Sequence, residues 1–228
     1  MNLDNEKKLI VDICRRLYDR DHIVSRSGNV SCRIDDDKIL ITPSRLRKCS
    51  IKPNDLCVIN LEGKQLSGAF LPSSEYRVHL AIYKKRPDVM AVVHTHSPFS
   101  IVCSLTTISF EYPILPETAL SLGSIPTIPY APPGSEDLVK KVEPFIEGHN
   151  AFILQRHGVV ALGADLEEAF DRLEEVEHAA KIAYFVSLKG RIPRLGRSQL
   201  MNVASFAKRQ GFPVPDLVMK WLHQILAK

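Results

Sequence analysis

Three histidines in this chain stand where metal ligands would be useful. His94-Thr95-His96 closes the apolar run Val89 to Val93. Such a run reads as a buried strand, and a strand sends residues i and i+2 to the same face. The two imidazoles should therefore project together from the strand end, which suits two metal–nitrogen bonds of about 2.0–2.1 Å. His157 closes a second apolar strand, Ala151 to Leu154, and is followed by Gly158. Catalytic zinc commonly takes three protein ligands and keeps one position for water or substrate. His94, His96 and His157 supply three nitrogens for such a centre. An isolated His-x-His has a plainer explanation too, a polar strand end whose imidazoles are satisfied by neighbours.

Three short motifs could hold an anion beside that centre. Ser73-Ser74-Glu75 precedes a helical stretch. A helix N-terminus offers free N–H groups and the positive end of its dipole. Two hydroxyls there suggest phosphate, and the Glu75 carboxylate near a polarised carbonyl could move a proton on the adjacent carbon. In Ser27-Gly28-Asn29-Val30-Ser31, Gly28 permits an unusual backbone angle and Asn29 offers an amide to an oxyanion. Thr42-Pro43-Ser44 adds a hydroxyl and loop amides. Taken singly, the first motif is an ordinary helix cap and the other two are ordinary turns. His79 stands four residues after Glu75, hence on the same helix face. His22, His149, His178 and His223 show no ligand spacing and read as structural or surface groups.

The elements that must position these residues follow from periodicity. Leu9, Ile10, Ile13 and Leu17 mark an opening helix over 6–20. Strands are expected at 39–41 and 56–61, with a turn at Glu62-Gly63-Lys64. Ser73 or Ser74 should cap a helix that runs to about Arg86 and stops at Pro87. A strand at 89–94 follows. The proline-rich stretch 112–134 reads as strand and loop. A helix at 136–147, strands at 151–155 and 159–162, and a long amphipathic helix at 165–188 come next. Two shorter helices end the chain. Strands alternating with helices point to α/β or α+β layers. No linker stands out, so residues 1–228 read as one domain.

Composition narrows the class. Of 228 residues, 45% are hydrophobic and 25% charged, the ordinary balance of a water-soluble globular protein. The five cysteines are scattered and odd in number, which fits a reduced, cytoplasmic setting better than a disulfide framework. The N-terminus lacks a signal-peptide apolar core, and no run approaches the roughly 20 apolar residues of a membrane helix. The net charge of +4 is mild and mixed along the chain, which argues against a nucleic-acid partner. The clusters Arg45-Arg47-Lys48 and Arg191-Arg194-Arg197 read as solvated surface, or as help in drawing in an anionic substrate.

In order along the chain, SGNVS, ITPS, LPSSE, AVVHTHS and RHGVVALG resemble the class II aldolase/adducin family, over about residues 5–188. The resemblance implies a three-layer α-β-α domain with a largely antiparallel central sheet. It implies one zinc ion per subunit on His94, His96 and His157, with Glu75 as catalytic acid/base that also approaches the metal. Gly28, Asn29, Ser44, Ser73 and Ser74 match positions that hold substrate phosphate. It further implies a homotetramer with active sites between subunits. The expected reaction is cleavage of a ketose 1-phosphate, of the fuculose or deoxyribulose type, to dihydroxyacetone phosphate and an aldehyde through a zinc-stabilised enediolate.

The chain departs from that pattern twice. Arg45 stands where the fuculose-type aldolases carry glycine. Leu115 stands where they carry a proton-donating tyrosine, flanked by Tyr112 and Glu117. Other activities of the family stay open. A methylthioribulose-phosphate-type dehydratase could use Glu117 as a base. A ribulose-phosphate-type 4-epimerase would want a C-terminal tyrosine, and none follows Arg191. Adducin-like members act as interaction modules and lack the metal ligands that this chain keeps.

Overall fold

Short β-branched runs build a single eight-stranded sheet in the computed structural model, which describes residues 3–227. The strands are β1 (Asn29–Arg33), β2 (Lys38–Ile41), β3 (Cys57–Asn60), β4 (Gln65–Ser67), β5 (Ala91–Thr95), β6 (Thr127–Ile128), β7 (Ala151–Leu154) and β8 (Gly158–Gly163). Their spatial order is β4-β3-β2-β1-β5-β8-β7-β6. Every neighbouring pair is antiparallel except β6 and β7. The expected layered α/β architecture with a largely antiparallel sheet is what the chain adopts.

Eight α-helices accompany the sheet among the described residues: α1 (Leu3–Asp19), α2 (Tyr76–Lys85), α3 (Pro98–Ser104), α4 (Pro116–Ser121), α5 (Glu136–Ile146), α6 (Leu166–Ser187), α7 (Arg197–Gln210) and α8 (Asp216–Ala227). Alternation along the central strands divides the core into two. Ala91 and Val93 of β5 pack with Ile13 and Leu17 of α1, Cys103 of α3 and Leu173 of α6. Val92 faces the other way, toward Val78 and Ile82 of α2 and Val142 of α5. Each fully buried Ile or Leu on these faces contributes about 1.5–3 kcal/mol. Ala119 of α4, Leu200 of α7 and Leu222 of α8 form a third, smaller cluster.

Side-chain caps tie the helices to their neighbours. Ser135 Oγ accepts from Leu138 N at the start of α5, and Asp165 Oδ1 accepts from Glu168 N at the start of α6. The short helix α3 is capped from a distance. Buried Glu177 of α6 accepts from Phe99 N at 2.7 Å, and from Ser100 N at 2.8 Å and Ser100 Oγ at 2.7 Å. All five cysteines are free, and burial pushes the Cys14 and Cys103 thiols up to about 12, so they behave as small apolar side chains. Among the described residues, no helix is long and apolar enough to cross a membrane.

Several local expectations change. The segment read as a turn, Ser27 to Ser31, mostly enters the sheet as β1. It was hard to read because Asn29 and Ser31 face polar partners on one side of a strand buried on both. The proline-rich stretch holds α4, whose first residue is Pro116; proline is pre-set for the first helical position. Neither Ser73 nor Ser74 caps α2. Glu75 takes the N-cap position without a capping hydrogen bond, and Ser73 Oγ accepts from Glu75 N at 3.3 Å. Lys48 is not solvated surface. It is 3% exposed and donates to Arg26 O at 3.3 Å and Leu46 O at 3.0 Å, and burial lowers its pKa.

The β7–β8 turn carries the tightest backbone contact near the histidines. Arg156 has φ +64° and Gly158 φ +159°. A Cβ on Gly158 would lie 1.8 Å from Thr95 O. Gly158→Ala should therefore cost more than about 3 kcal/mol, a fall in Tm on the order of 6–12 °C for a chain of this size. Gly148→Ala, where a Cβ meets nothing within 4 Å, should stay within about 0.5 kcal/mol. Calorimetric melting of the two variants checks this, and equal Tm values would remove the steric argument.

Candidate metal and anion site

The sheet brings the three ligand candidates together. His94 sits near the end of β5, paired with Asn29 of β1 on one side and Val160 of β8 on the other. His96 follows two residues on, just past the strand. His157 lies in the β7–β8 turn. The ring centroids are 5.2 Å apart for His94 and His96, 4.7 Å for His94 and His157, and 4.8 Å for His96 and His157. Glu75, at the head of α2, puts Oε2 3.1 Å from His94 Nε2 and 3.5 Å from His157 Nε2. One ligand atom from each of the four residues lies within 4.8 Å of every other.

The protonation pattern suits a cation. A carbonyl can only accept, so His94 Nδ1–H donates to Val159 O at 2.8 Å, which makes Nε2 the atom that offers a metal its lone pair once the ring is neutral. This is the second-shell contact that orients a metal-binding imidazole. The Nε2 atoms of His94, His96 and His157 are buried without a hydrogen-bond partner. Glu75 is close to two of them, but the directions do not meet hydrogen-bond geometry; the groups aim at a common point instead. A tetrahedral centre with bonds of about 2.0–2.1 Å holds its donor atoms about 3.4 Å apart. The four groups thus fit a divalent ion with small inward shifts. Three imidazoles and one carboxylate suit zinc, and they also accept other first-row metals.

The charges of the four are coupled. Burial would raise the Glu75 pKa, but the His94 and His157 imidazoles outweigh it and hold the carboxyl well below the usual range. Burial, then repulsion from His94 and His157, pulls His96 down to about 3. For His94, burial works downward and the Glu75 carboxylate overcomes it, so its pKa is raised.

The anion candidates sit on three loops braced to one another. Ser44 N donates to Leu71 O at 2.9 Å, and Ser73 N donates to Thr42 O at 3.0 Å. Thr42 Oγ1 accepts from Val30 N at 3.2 Å. The buried Lys48 ammonium clamps the 23–28 loop to the 44–48 loop. Gly28 has φ +73°, and a Cβ there would come within 3.0 Å of His94 O. Gly28 and Asn29 are thus placed against the metal candidates. Ser73 is buried, Ser44 half-buried and Ser74 exposed.

Arg45 is exposed with φ +63°, in the left-handed region that favours glycine. A side chain there costs roughly 1–2 kcal/mol, a physical reason to expect glycine where this chain has arginine. Leu115 precedes α4 and packs on the apolar core with Ile108 and Ile114. It lines a cavity of about 740 Å³ with Glu117, His22, Phe99 and Glu174. None of the three histidines lines that cavity; the orphaned nitrogens, not cavity size, mark the chemical centre.

Two features escaped the sequence reading. The loop after β6 packs against the backbone at Ser74, since a Cβ on Gly134 would lie 2.8 Å from Ser74 O. His22 is buried in a polar string, 3.5 Å from Ser97 Oγ and 3.5 Å from Glu174, with Ser97 Oγ in turn 2.7 Å from Thr95 Oγ1. That string holds the outer face of the strand end that carries His94 and His96. No motif announces either contact, because the partners are distant in sequence.

With this geometry in hand, the chain can be compared with known proteins. The family described as the Class II Aldolase and Adducin N-terminal domain matches residues 8–184. A 3-oxo-tetronate 4-phosphate decarboxylase of Haemophilus influenzae is 36% identical over 81% of this chain and 89% of its own length. An L-fuculose phosphate aldolase of Methanocaldococcus jannaschii is 39% identical over 78% of this chain and 94% of its own. Among solved structures, an L-fuculose 1-phosphate aldolase superposes with TM-score 0.82 at 28% identity, covering 90% of this chain and 96% of that one. A sugar-phosphate aldolase from Thermotoga maritima gives 0.74 at 28% identity, over 83% and 97%.

Metal analysis tests the centre directly. Protein loaded with zinc chloride and dialysed should hold one ion per chain. His94→Ala should weaken zinc by more than about 100-fold, beyond the roughly 10–100-fold typical of an outer contact, with an unchanged far-UV spectrum. Because an imidazole must lose its proton to bind, and Glu75 raises the pKa of His94 above its ordinary value of about 6.5, affinity should already fall as pH drops toward that value and continue to fall below it. Full zinc content in His94→Ala would remove His94 from the ligand set.

Proposed function

The chain belongs to the class II aldolase and adducin family, and on that premise we propose that it is a metal-dependent carbon–carbon lyase releasing dihydroxyacetone phosphate from a small phosphorylated sugar derivative. The observation that carries this reading is the convergence of Glu75 and three buried, unpartnered imidazole nitrogens beside Asn29 and Gly28. Zinc held by His94, His96 and His157 would act as a Lewis acid toward a substrate carbonyl.

The chain's own residues supply the rest. Gly28, Asn29, Ser44, Ser73 and Ser74 hold the phosphate, so that binding energy remote from the reacting bond orients it. Glu75, ionised at neutral pH, moves a proton at the carbon beside the carbonyl. The enclosure of the histidines limits water at the reacting carbon. The first reading is aldol cleavage of a ketose 1-phosphate of the fuculose or deoxyribulose type. The retention of all four metal-site groups supports an enzyme over an interaction module.

A specific observation favours a second reading. Aldol cleavage needs a group to take the hydroxyl proton of the departing carbon, and Leu115 has nothing to offer where a tyrosine is expected. Decarboxylation needs no such group. When a 3-oxo-tetronate 4-phosphate loses its carboxyl carbon as carbon dioxide, the bond's electron pair stays on the carbon beside the ketone. A proton added there gives dihydroxyacetone phosphate, the same product. The similarity to the decarboxylase of Haemophilus influenzae supports this route.

The whole chain then works as one domain, in the reducing cytoplasm that suits its unpaired cysteines, as a homotetramer with sites between subunits. Exposed Val24 and Leu71, on the loops that bear the anion candidates, support a rim that a neighbour covers.

A coupled assay for dihydroxyacetone phosphate tests both readings. The panel is fuculose, rhamnulose and 5-deoxyribulose 1-phosphates and 3-oxo-tetronate 4-phosphate, the last with carbon dioxide measured. Release from none of them would refute the proposal. Glu75→Gln should keep at least partial zinc and lower kcat by about 10²–10⁴-fold; near-normal turnover would mean another base is at work. Ser74→Ala should raise KM by roughly 10-fold or more through loss of one hydrogen bond to a charged group. An unchanged KM would move the phosphate elsewhere.

A further inference from the structure

A buried polar string runs from α2 to Asn29 at the edge of the candidate site, and the reaction just described gives no role to Tyr83, Ser31 or His79. Tyr83 OH lies 2.8 Å from Ser31 Oγ, and Ser31 Oγ lies 2.7 Å from His79 Nδ1. His79 Nε2 in turn contacts Asn29 Oδ1. Asn29, Ser31, His79 and Tyr83 are each 3% exposed or less. Two parts of this string are structural: Asn29 and Ser31 share one face of β1, two residues apart, and His79 and Tyr83 are one turn apart on α2. The outer end is different. Asn29 pairs directly with His94 across β1 and β5, so their side chains are same-face neighbours about 4.5–5.5 Å apart at Cβ.

The hydrogen bonds can run in only one consistent direction from Asn29 Oδ1. An amide oxygen accepts, so His79 Nε2 carries the proton. A neutral imidazole has one donor and one acceptor, so Nδ1 accepts from the Ser31 hydroxyl. Ser31 Oγ can then take a proton from Tyr83 OH. The string is directed Tyr83, Ser31, His79, Asn29. It ends on a carboxamide whose oxygen is occupied by His79 Nε2–H, which leaves its two N–H groups as the donors on offer. Turning the amide over would set its N–H groups against the imidazole N–H and present an oxygen to an anionic substrate.

We propose that His79 is a positioning residue: its Nε2–H holds the Asn29 carboxamide in the one orientation that offers N–H donors, and not an oxygen, to an anionic oxygen of the substrate beside His94. The role extends the proposed lyase reading and rests on it for the identity of the anion. His79 itself touches neither metal nor substrate. Its neighbours Ser31 and Tyr83 hold its tautomer, as an outer contact does for a metal-bound imidazole.

The test uses the zinc-loaded full chain, with dihydroxyacetone phosphate as calorimetric probe. His79→Leu should bind it about tenfold more weakly, with zinc content unchanged. His79→Gln keeps an N–H donor near the Nε2 position and should recover most of the loss. Asn29→Ala should lose as much as His79→Leu or more, and the double variant should be no worse than Asn29→Ala alone. Wild-type affinity in His79→Leu, or losses that multiply in the double variant, would overturn the proposal. Nitrogen-15 NMR of the unmodified protein gives an answer even if His79→Leu fails to fold. An Nε2–H tautomer is expected at His79, and an Nδ1–H tautomer would overturn the direction of the string. If the wild-type protein does not bind dihydroxyacetone phosphate at all, the lyase reading falls, while the tautomer still decides the hydrogen-bond argument.

Discussion

β5 is hydrogen-bonded to β1 along one edge and to β8 along the other, and this pairing leaves it a single register. One face of β5 is committed to the α1 and α6 core and the other to the α2 and α5 core, so its register cannot slip by one residue without exchanging both. That register sets His94 opposite Asn29 and opposite Val160. It also brings the β7–β8 turn against the end of β5, so closely that Gly158 has no room for a side chain. The turn carries His157 to its partners. Ladder hydrogen bonds thus position His94 and Asn29, while His157 comes from the β7–β8 turn and Glu75 from the head of α2.

Such a site is expensive for the fold. Each buried polar atom without a partner costs about 1–3 kcal/mol, and four imidazole nitrogens of the three histidines lie in that state, two of them close to the Glu75 carboxylate. The surrounding sheet is apolar and deeply buried on both faces, which supplies the stability against which this local cost is set. A divalent ion would recover much of it, since binding free energy at such a centre is also folding free energy. The arrangement is better explained by chemistry than by packing, because apolar groups of similar size would be the cheaper filling.

The two cleavage chemistries considered for this chain differ less than their names suggest. Both break a bond to the carbon beside a ketone and leave its electron pair where a Lewis acid can stabilise it. Both need a carboxylate that is ionised yet shielded, which the facing imidazoles secure for Glu75. They part only at the leaving fragment, where one must lose a hydroxyl proton and the other departs as carbon dioxide. Leu115 and its packing on the core bear on that difference alone. Arg45, held in a backbone conformation unfavourable to it, marks the other place where this chain differs from the pattern it otherwise follows.

Much of this was legible in the residues. The i and i+2 spacing of His94 and His96, the helical stripe of α6 and the apolar runs of β5, β7 and β8 are local signals, and local geometry decides them. Other features were not legible, because their causes are distant. β1 looks like a turn until Ser31 and Asn29 find His79 and Tyr83. Lys48 looks solvated until two loops close over it, and α3 has no local cap because Glu177 reaches it from α6. Residue types and their spacing fix which groups are available and which neighbours share a face. Only the tertiary structure decided that Glu75, His157 and the β5 histidines meet within 4.8 Å, because antiparallel pairing and close backbone approach are long-range interactions that no local spacing encodes.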